Sequence, residues 1–233
     1  MIVNTSITRF KDGSRFCFEP SFARQLAGEL GLRATAVTFD LSNACAGMLT
    51  GVYLLDRMIR AGIVRNGMVV SGEQPGAGFG PVAVRGTDDA DGSAGTRGYL
   101  ETAGMGAEGR CRITVERQPE AVRVERLVAL AADTVGDYAR DHGLSLDRTL
   151  VLCTRAAPDF ADRLAGRLGL VPGSVRAPGA PGTAGGEPLT AAPVVGYLNA
   201  LERGLPPGKD QLLLVTAGAG PSAACAGYRP RGR

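Results

Sequence analysis

The sequence predicts an α/β fold in which helices cover a parallel or mixed β-sheet. Short runs of β-forming residues alternate with longer segments of helical periodicity along the chain, and this alternation is typical of layered α/β folds. The chain has 233 residues, of which 44% are apolar, so it is long enough to bury a sizeable core. Because aromatic residues make up only 5% and Trp is absent, we expect that core to consist mainly of Ala, Val, Leu and Gly.

The first part of the chain predicts two helices and two strands. Phe22, Leu26 and Leu30 follow one another at four-residue spacing, which indicates a helix over Ser21–Leu30. The segment Ala46–Ala61 carries apolar residues on most faces of a helix, so we expect that helix to be largely buried. Strands are predicted at Ala34–Leu41 and Gly67–Gly72.

A segment rich in Gly, Pro, Asp and Thr divides the chain. Residues 74–110 show little periodicity, and we interpret them as a long loop. This loop predicts an N-terminal unit, residues 1–110, and a C-terminal unit, residues 111–233. A second loop, built almost entirely of small residues, is predicted at 172–188. The C-terminal unit is predicted to contain strands at 111–115, 149–153 and 211–217, and helices at about 120–142, 158–168 and 190–203.

Composition argues against several classes of protein. The net charge of +3 is too small to indicate a nucleic-acid or membrane partner. No run of about 18 apolar residues occurs, and the start of the chain does not resemble a signal peptide, so a cytoplasmic location is predicted. The five cysteines form no C-x-x-C pair and the chain has one histidine, which argues against a disulfide framework and a metal site. That histidine, His142, lies at a helix end, where we expect it to cap the helix or face solvent.

The strongest chemical signal is the sequence DLSNACAG, residues 40–47. A predicted strand ends here, and a predicted helix begins just after Cys45. The free N–H groups and the positive end of the helix dipole stabilise a thiolate and lower the pKa of a thiol at this position. Ala44, Ala46 and Gly47 leave room for a carbonyl group to approach the sulfur. Position alone also permits an unreactive buried cysteine at the start of a core helix, and the two alternatives stay open on this evidence.

Three segments resemble the type III 3-oxoacyl-(acyl-carrier-protein) synthases. They are FDLSNACAGMLTGVYLLDRMIRAG (residues 39–62), MVVSGE (residues 68–73) and PGKDQLLLVTAGAGPSAACA (residues 207–226). The resemblance implies a thiolase-like fold, layered α/β/α/β/α, with two related βαβ halves of which the first is incomplete here. It also implies that Cys45 is a nucleophile that accepts an acyl group. No tightly bound cofactor is implied, since the substrate is a coenzyme A or phosphopantetheine thioester.

The chain departs from the pattern of this family in three places. Only 44 residues precede Cys45, so the family's first hairpin and helix, and part of its coenzyme A entrance, have no counterpart before it. The family's catalytic His falls on Thr154, which cannot act as a base near neutral pH. The family's catalytic Asn falls on Glu187, which is either a replacement base or a surface carboxylate. The resemblance therefore implies that acyl loading on Cys45 is retained and that condensation is impaired.

Three functions are compatible with these features. The chain is expected to be an acyltransferase of fatty-acid or polyketide biosynthesis that takes its acyl group from an acyl carrier protein or from acyl-coenzyme A. Alternatively, it is a non-catalytic partner subunit of an intact synthase, or a decayed, truncated homologue. The family's dimers predict self-association, as a homodimer or as a heterodimer with a related synthase, around the strand at about Val37–Leu41.

Overall fold

A computed structural model describes most of the chain. The described residues are 1–6, 10–11, 15–16, 20–72, 98–102, 111–115, 120–154, 156–178, 189–218 and 222–229. The boundary predicted at residue 110, most of the long loop and Glu187 lie outside these ranges.

Helices and strands alternate through the described residues, as the sequence predicts. The strands are β1 (Ile2–Asn4), β2 (Phe10–Lys11), β3 (Arg15–Phe16), β4 (Thr38–Asp40), β5 (Met68–Val70), β6 (Gly98–Thr102), β7 (Cys111–Val115), β8 (Thr149–Cys153), β9 (Val175–Arg176), β10 (Gln211–Gly218) and β11 (Ser222–Tyr228). The α-helices are α1 (Phe22–Glu29), α2 (Gly47–Arg60), α3 (Glu120–His142), α4 (Phe160–Arg167) and α5 (Ala192–Arg203).

The first sheet is parallel, with strand order β4-β1-β5. Alternate residues of a strand face opposite sides of a sheet, and the packing follows this rule. Ile2 and Val70 face α1, where they pack with Ala23 and Ala27. Val69, one residue away from Val70, faces α2 instead. The two helices therefore cover opposite faces of the first sheet.

The helix α1 is fixed to the sheet by the end of β4. The carboxylate of Asp40 accepts the backbone N–H groups of Phe22 and Ala23, at 3.0 and 2.9 Å. The hydroxyl of Ser21 accepts the N–H of Arg24 at 3.2 Å. Acceptors at these positions satisfy the free donors of a helix N-terminus, so Asp40 has a structural role here.

The second sheet has strand order β11-β10-β8-β9, with β11 antiparallel to β10 and the other pairs parallel. Val151, Cys153, Leu213 and Val215 face a core shared with α3 and α4. The alternate residues face α5, where a Cβ added at Gly196 would lie 3.5 Å from Leu152, an ordinary contact distance. The hairpins β2–β3 and β6–β7 form separate pairs of strands.

These contacts give a layered arrangement. Its order is α1, the first sheet, α2 with α5, the second sheet, and α3 with α4. The middle layer is continuous because a 3-10 turn just before α5 contacts the start of α2. Among the helices of the described residues, none combines the length and the apolar character needed to cross a membrane.

The structure corrects some predictions about individual elements. The helix α2 is buried only near its start, because the described elements cover only its first turns, and Val52 and Tyr53 are 45% and 61% exposed. The strand β6 lies in the segment predicted to be loop, and β9 lies in the second predicted loop. The strands β1 and β9 have only three and two residues, too few to show a periodic pattern.

Candidate acyl-accepting site

Cys45 lies in a 3-10 turn, Ala44–Ala46, that runs directly into α2. We call these three residues the Cys45 turn. The N–H of Ala46 donates to the carbonyl of Asn43 at 3.0 Å. The amide of Asn43 donates to the hydroxyl of Thr50 at 2.8 Å, and that hydroxyl donates to the carbonyl of Ala46 at 2.9 Å. Asn43 and Thr50 therefore brace the turn from both sides of Cys45.

The first sheet holds the beginning of α2 in place. The N–H of Leu41 donates to the carbonyl of Asn4 at 2.8 Å, which brings the chain from β4 to the carboxyl end of β1. A Cβ added at Gly47 would lie 3.2 Å from the carbonyl oxygen of Thr5. A Cβ added at Gly51 would lie 2.8 Å from Val69 Cγ1. Glycine at these two positions, one turn apart, lets α2 lie directly on the sheet.

The second sheet reaches Cys45 through the last residue of β10. A Cβ added at Gly218 would collide with both Cβ and Sγ of Cys45 and would lie 3.3 Å from its backbone nitrogen. No side chain fits between the strand and the thiol, so Gly218 forms one wall of the Cys45 environment. The Cys45 turn and Gly218 thus join the two sheets at this point.

Thr154, the position predicted to replace the family histidine, is buried, and its backbone N–H and its hydroxyl are hydrogen-bonded. It directly follows β8 and is 3% exposed. Its N–H donates to the carbonyl of Val215 at 3.0 Å. Its hydroxyl donates to the carbonyl of Ala217 and accepts the N–H of Ala217, both at 2.9 Å. The hydroxyl is therefore engaged with the residue that precedes Gly218.

A pair of hydroxyls links the end of the first sheet to the turn before α5. Ser71 follows β5, and Thr190 lies in the 3-10 turn Leu189–Ala191 that precedes α5. Their hydroxyl groups are hydrogen-bonded to each other, and Thr190 is completely buried. The turn that carries Thr190 contacts the Cys45 turn. The ends of β5, β8 and β10 and the start of α5 therefore meet around the Cys45 turn.

Two further cysteines and the histidine have surroundings different from those of Cys45. Burial raises the pKa of Cys153 to about 12 and that of Cys225 to about 11, so both thiols are protonated near neutral pH. Cys225 also donates to the carbonyl of Thr134 at 3.7 Å. His142 contacts Tyr138 in the last turn of α3, with ring centroids 4.3 Å apart and the ring planes tilted by 43°. No cluster of His, Cys, Asp or Glu that could hold a metal ion occurs within the described ranges.

The site contains several residues that the sequence did not single out. Gly218 belongs to the sequence TAGAG, and a glycine at a strand end is a known sign of close backbone approach. Asn43 lies in the DLSNACAG motif, and its hydrogen bond to Thr50 gives it a specific role that the motif does not reveal. The pairing of Ser71 with Thr190 left no signal in the sequence, because it joins segments that are far apart in the chain.

The segment of this chain that is similar to known proteins includes the Cys45 turn. Residues 39–79 match the family model described as 3-oxoacyl-[acyl-carrier-protein (ACP)] synthase III. The chain is 36% identical over 73 residues to the acyl-CoA:acyl-CoA alkyltransferase of Xanthomonas campestris pv. campestris, which is 31% of this chain and 20% of that protein. It is 41% identical over 54 residues to the beta-ketoacyl-[acyl-carrier-protein] synthase III of Alkalilimnicola ehrlichii, 23% of this chain and 17% of that protein.

Solved structures show the same fold over nearly the whole chain. The 3-oxoacyl-(acyl carrier protein) synthase III, FabH, of Pseudomonas aeruginosa superposes with a TM-score of 0.69 at 19% identity, covering 98% of this chain and 75% of that one. OleA of Xanthomonas campestris, in its cerulenin-bound form, superposes with a TM-score of 0.65 at 19% identity, covering 97% and 73%. The chain is a relative of the type III 3-oxoacyl-(acyl-carrier-protein) synthases. The predicted thiolase-like fold is confirmed.

The relationship to the type III synthases is strongest at the Cys45 turn, α2 and β5, which the family model covers. The sequence match spans only about one fifth of the length of the curated synthase and alkyltransferase relatives. Thr154 and Glu187 lie outside the matched segment. Their correspondence to the family's His and Asn therefore stays a prediction, and Glu187 also lies outside the described residues.

Proposed function

We propose that this type III synthase relative accepts an acyl group on Cys45 from an acyl-coenzyme A or acyl-carrier-protein thioester. The observation that carries this proposal is the position of Cys45, braced at the start of α2 within the segment that matches the family. Backbone N–H groups at a helix start favour the thiolate and can receive the negative charge of a carbonyl oxygen. The N-terminal unit, residues 1–110, supplies the thiol, and the C-terminal unit, residues 111–233, supplies Gly218 and Thr154.

The proposed step is a thioester exchange. The thiolate of Cys45 attacks the thioester carbonyl carbon, and a sulfur–carbon bond forms as the oxygen takes up negative charge. Collapse of this intermediate breaks the original carbon–sulfur bond and releases coenzyme A or phosphopantetheine as a thiolate, which then takes a proton from solvent. The acyl group stays on Cys45. The step requires no tightly bound cofactor, and its products serve fatty-acid or polyketide assembly.

We further propose that condensation with a malonyl thioester is impaired. That reaction needs hydrogen-bond donors that hold the developing enolate oxygen, and loss of one such donor costs about 10²–10³-fold in rate. At the predicted histidine position the hydroxyl of Thr154 already donates to Ala217. We therefore expect this chain to retain acyl loading while its condensation reaction is strongly slowed.

Intact-protein mass spectrometry tests both proposals. Incubation with acyl-coenzyme A is expected to give one acyl adduct, located on Cys45 by peptide mapping and absent from Cys45→Ala. Malonyl-coenzyme A is then added, and no β-ketoacyl product is expected in the time that an intact synthase, assayed in parallel, needs for many turnovers. A chain that forms no adduct on Cys45 contradicts the loading proposal. Efficient condensation contradicts the second proposal and the assignment of Thr154.

We also propose that the chain pairs with a second copy of itself or with a related synthase. Among the strands that the structure describes, β4 lies at the edge of the first sheet, and Val37, just before it, is 43% exposed. An unpaired edge strand beside apolar side chains favours association with another chain. This feature also supports the second candidate function, in which the chain is the non-catalytic partner of an intact synthase. The absence of the Cys45 adduct together with stable binding to such a synthase would favour that candidate.

A further inference from the structure

The end of β10 extends beyond the strand that pairs with it. The pairing of β8 with β10 ends where Cys153 lies opposite Val215. In an extended strand, the N–H and C=O of one residue point to the same side. Ala217 therefore points both groups toward the side where β8 has already ended, and Ala217 is buried at 1% exposure. Without a further partner, two buried backbone groups would lack hydrogen bonds.

The hydroxyl of Thr154 supplies both missing partners. It accepts the N–H of Ala217 and donates to the C=O of Ala217, each at 2.9 Å. A hydroxyl donates and accepts at one atom, whereas a neutral imidazole nitrogen does only one of the two. Thr154 thus continues the hydrogen-bond ladder with its side chain and fixes the residue next to Gly218.

We infer that Thr154 is a positioning residue, which holds Gly218 against Cys45 and so sets the geometry for acyl transfer. Gly218 is in direct contact with the Cβ and Sγ of Cys45, so a displacement of the strand end changes the space around the thiol. The hydroxyl of Thr154 takes no part in proton transfer. This inference rests on the proposed acyl loading of Cys45 and adds a determinant of its rate.

The test compares variants of Thr154 in two reactions of Cys45. Thr154→Val keeps the shape and removes the hydroxyl, and Thr154→Ser keeps the hydroxyl. Acyl transfer from acyl-coenzyme A requires the thioester carbonyl to be held in a defined position relative to the Cys45 sulfur. Alkylation by iodoacetamide has no such requirement. We expect Thr154→Val to slow acyl transfer about tenfold, since a displacement near 1 Å can cost up to ~10²-fold, while the alkylation rate changes less than about threefold. Thr154→Ser is expected to stay within about twofold of the wild type in both reactions.

Thr149→Val is the matched control for stability. Thr149 lies at the other end of β8, is completely buried, and donates its hydroxyl to the carbonyl of Ser145 at 2.7 Å. We expect Thr149→Val to lower the melting temperature to a similar extent but to leave the ratio of acyl transfer to alkylation unchanged. An unchanged ratio in Thr154→Val, or an equally lowered ratio in Thr149→Val, overturns the inference.

Two further outcomes are also decisive. If Thr154→Val does not give folded protein, Thr154→Ala removes the same hydroxyl with less crowding and takes its place. If neither variant folds while Thr149→Val does, Thr154 is a folding element and the positioning role is wrong. If the wild-type chain forms no acyl adduct, the proposed function fails. If the wild type forms the adduct and Thr154→Val forms it at the same rate, only the positioning role of Thr154 fails.

Discussion

Replacing Gly218 by alanine is a direct test of the contact between β10 and Cys45. The added Cβ would collide with the Cβ and Sγ of Cys45 and would also lie 3.3 Å from its backbone nitrogen. Ordinary contacts between heavy atoms are about 3.5–4 Å, so the Cys45 side chain or the strand end has to move by roughly 1 Å. Overpacking of this kind costs about 1–3 kcal/mol. A melting temperature responds by about 2–4 °C per kcal/mol in a chain of this size.

The assay measures stability and acyl loading on the same preparations. We expect Gly218→Ala to lower the melting temperature and to slow formation of the Cys45 acyl adduct by at least about tenfold. Gly166→Ala is the matched control, because Gly166 lies in α4 with no neighbouring atom within 4 Å of the added Cβ. That control should be as stable as the wild type or gain about 0.5–1 kcal/mol. If Gly218→Ala melts and loads like the wild type, the contact does not exist in solution and the proposed wall of the site is wrong.

Three further predictions follow from other contacts. With limiting iodoacetamide at pH 8, peptide mapping should find Cys45 alkylated before Cys153 and Cys225, because the raised pKa values of those two thiols, about 12 and 11, keep them protonated. Faster labelling of Cys153 would contradict the assignment of Cys45 as the nucleophile. Asp40→Ala should lower the free energy of unfolding in urea by about 1–2 kcal/mol, because it removes the acceptor of two N–H groups at the start of α1. The control Asp56→Ala breaks an exposed ion pair with Arg60 and should cost under about 0.5 kcal/mol. Equal losses in the two variants would refute the capping role of Asp40. Light scattering at micromolar concentration should give twice the mass of the chain, and Val37→Asp should reduce that mass; an ideal monomer would exclude pairing through β4.

Elements with a strong local pattern could be predicted closely from the sequence. The helix α3 and the strands β7 and β8 have the predicted bounds, because long periodic or β-branched segments specify their own conformation. The short strands β1 and β9 were not predicted, since their conformation depends on pairing with distant segments. The burial of α2 was overestimated for a related reason. An apolar helix surface shows that cover is needed, but it does not show which elements provide it.

The candidate site likewise contains residues that the sequence could predict and residues that it could not. The Cys45 turn could be found from sequence because a cysteine between a strand and a helix is a local feature with a physical consequence. Gly218 could not be placed beside Cys45, since nothing in the sequence TAGAG states what the glycine approaches. Thr154 was interpreted only as a missing histidine. Its pairing with Ala217 depends on where β8 ends relative to β10, and that is a property of the sheet.

The position of Thr154 also bears on Thr154→His, the substitution that places a histidine where the family's catalytic His is predicted to fall. Thr154→His removes the hydroxyl that pairs both backbone groups of Ala217, so the substitution introduces an imidazole and loosens the strand that carries Gly218. For the proposed reaction at Cys45, the added base would help, whereas the loss of the strand's position would hinder. Condensation is therefore not expected to return with Thr154→His alone, even where the backbone path is retained. In the proposed loading step, the site consists of backbone contacts around Cys45, and by our inference these depend on the threonine in its present place.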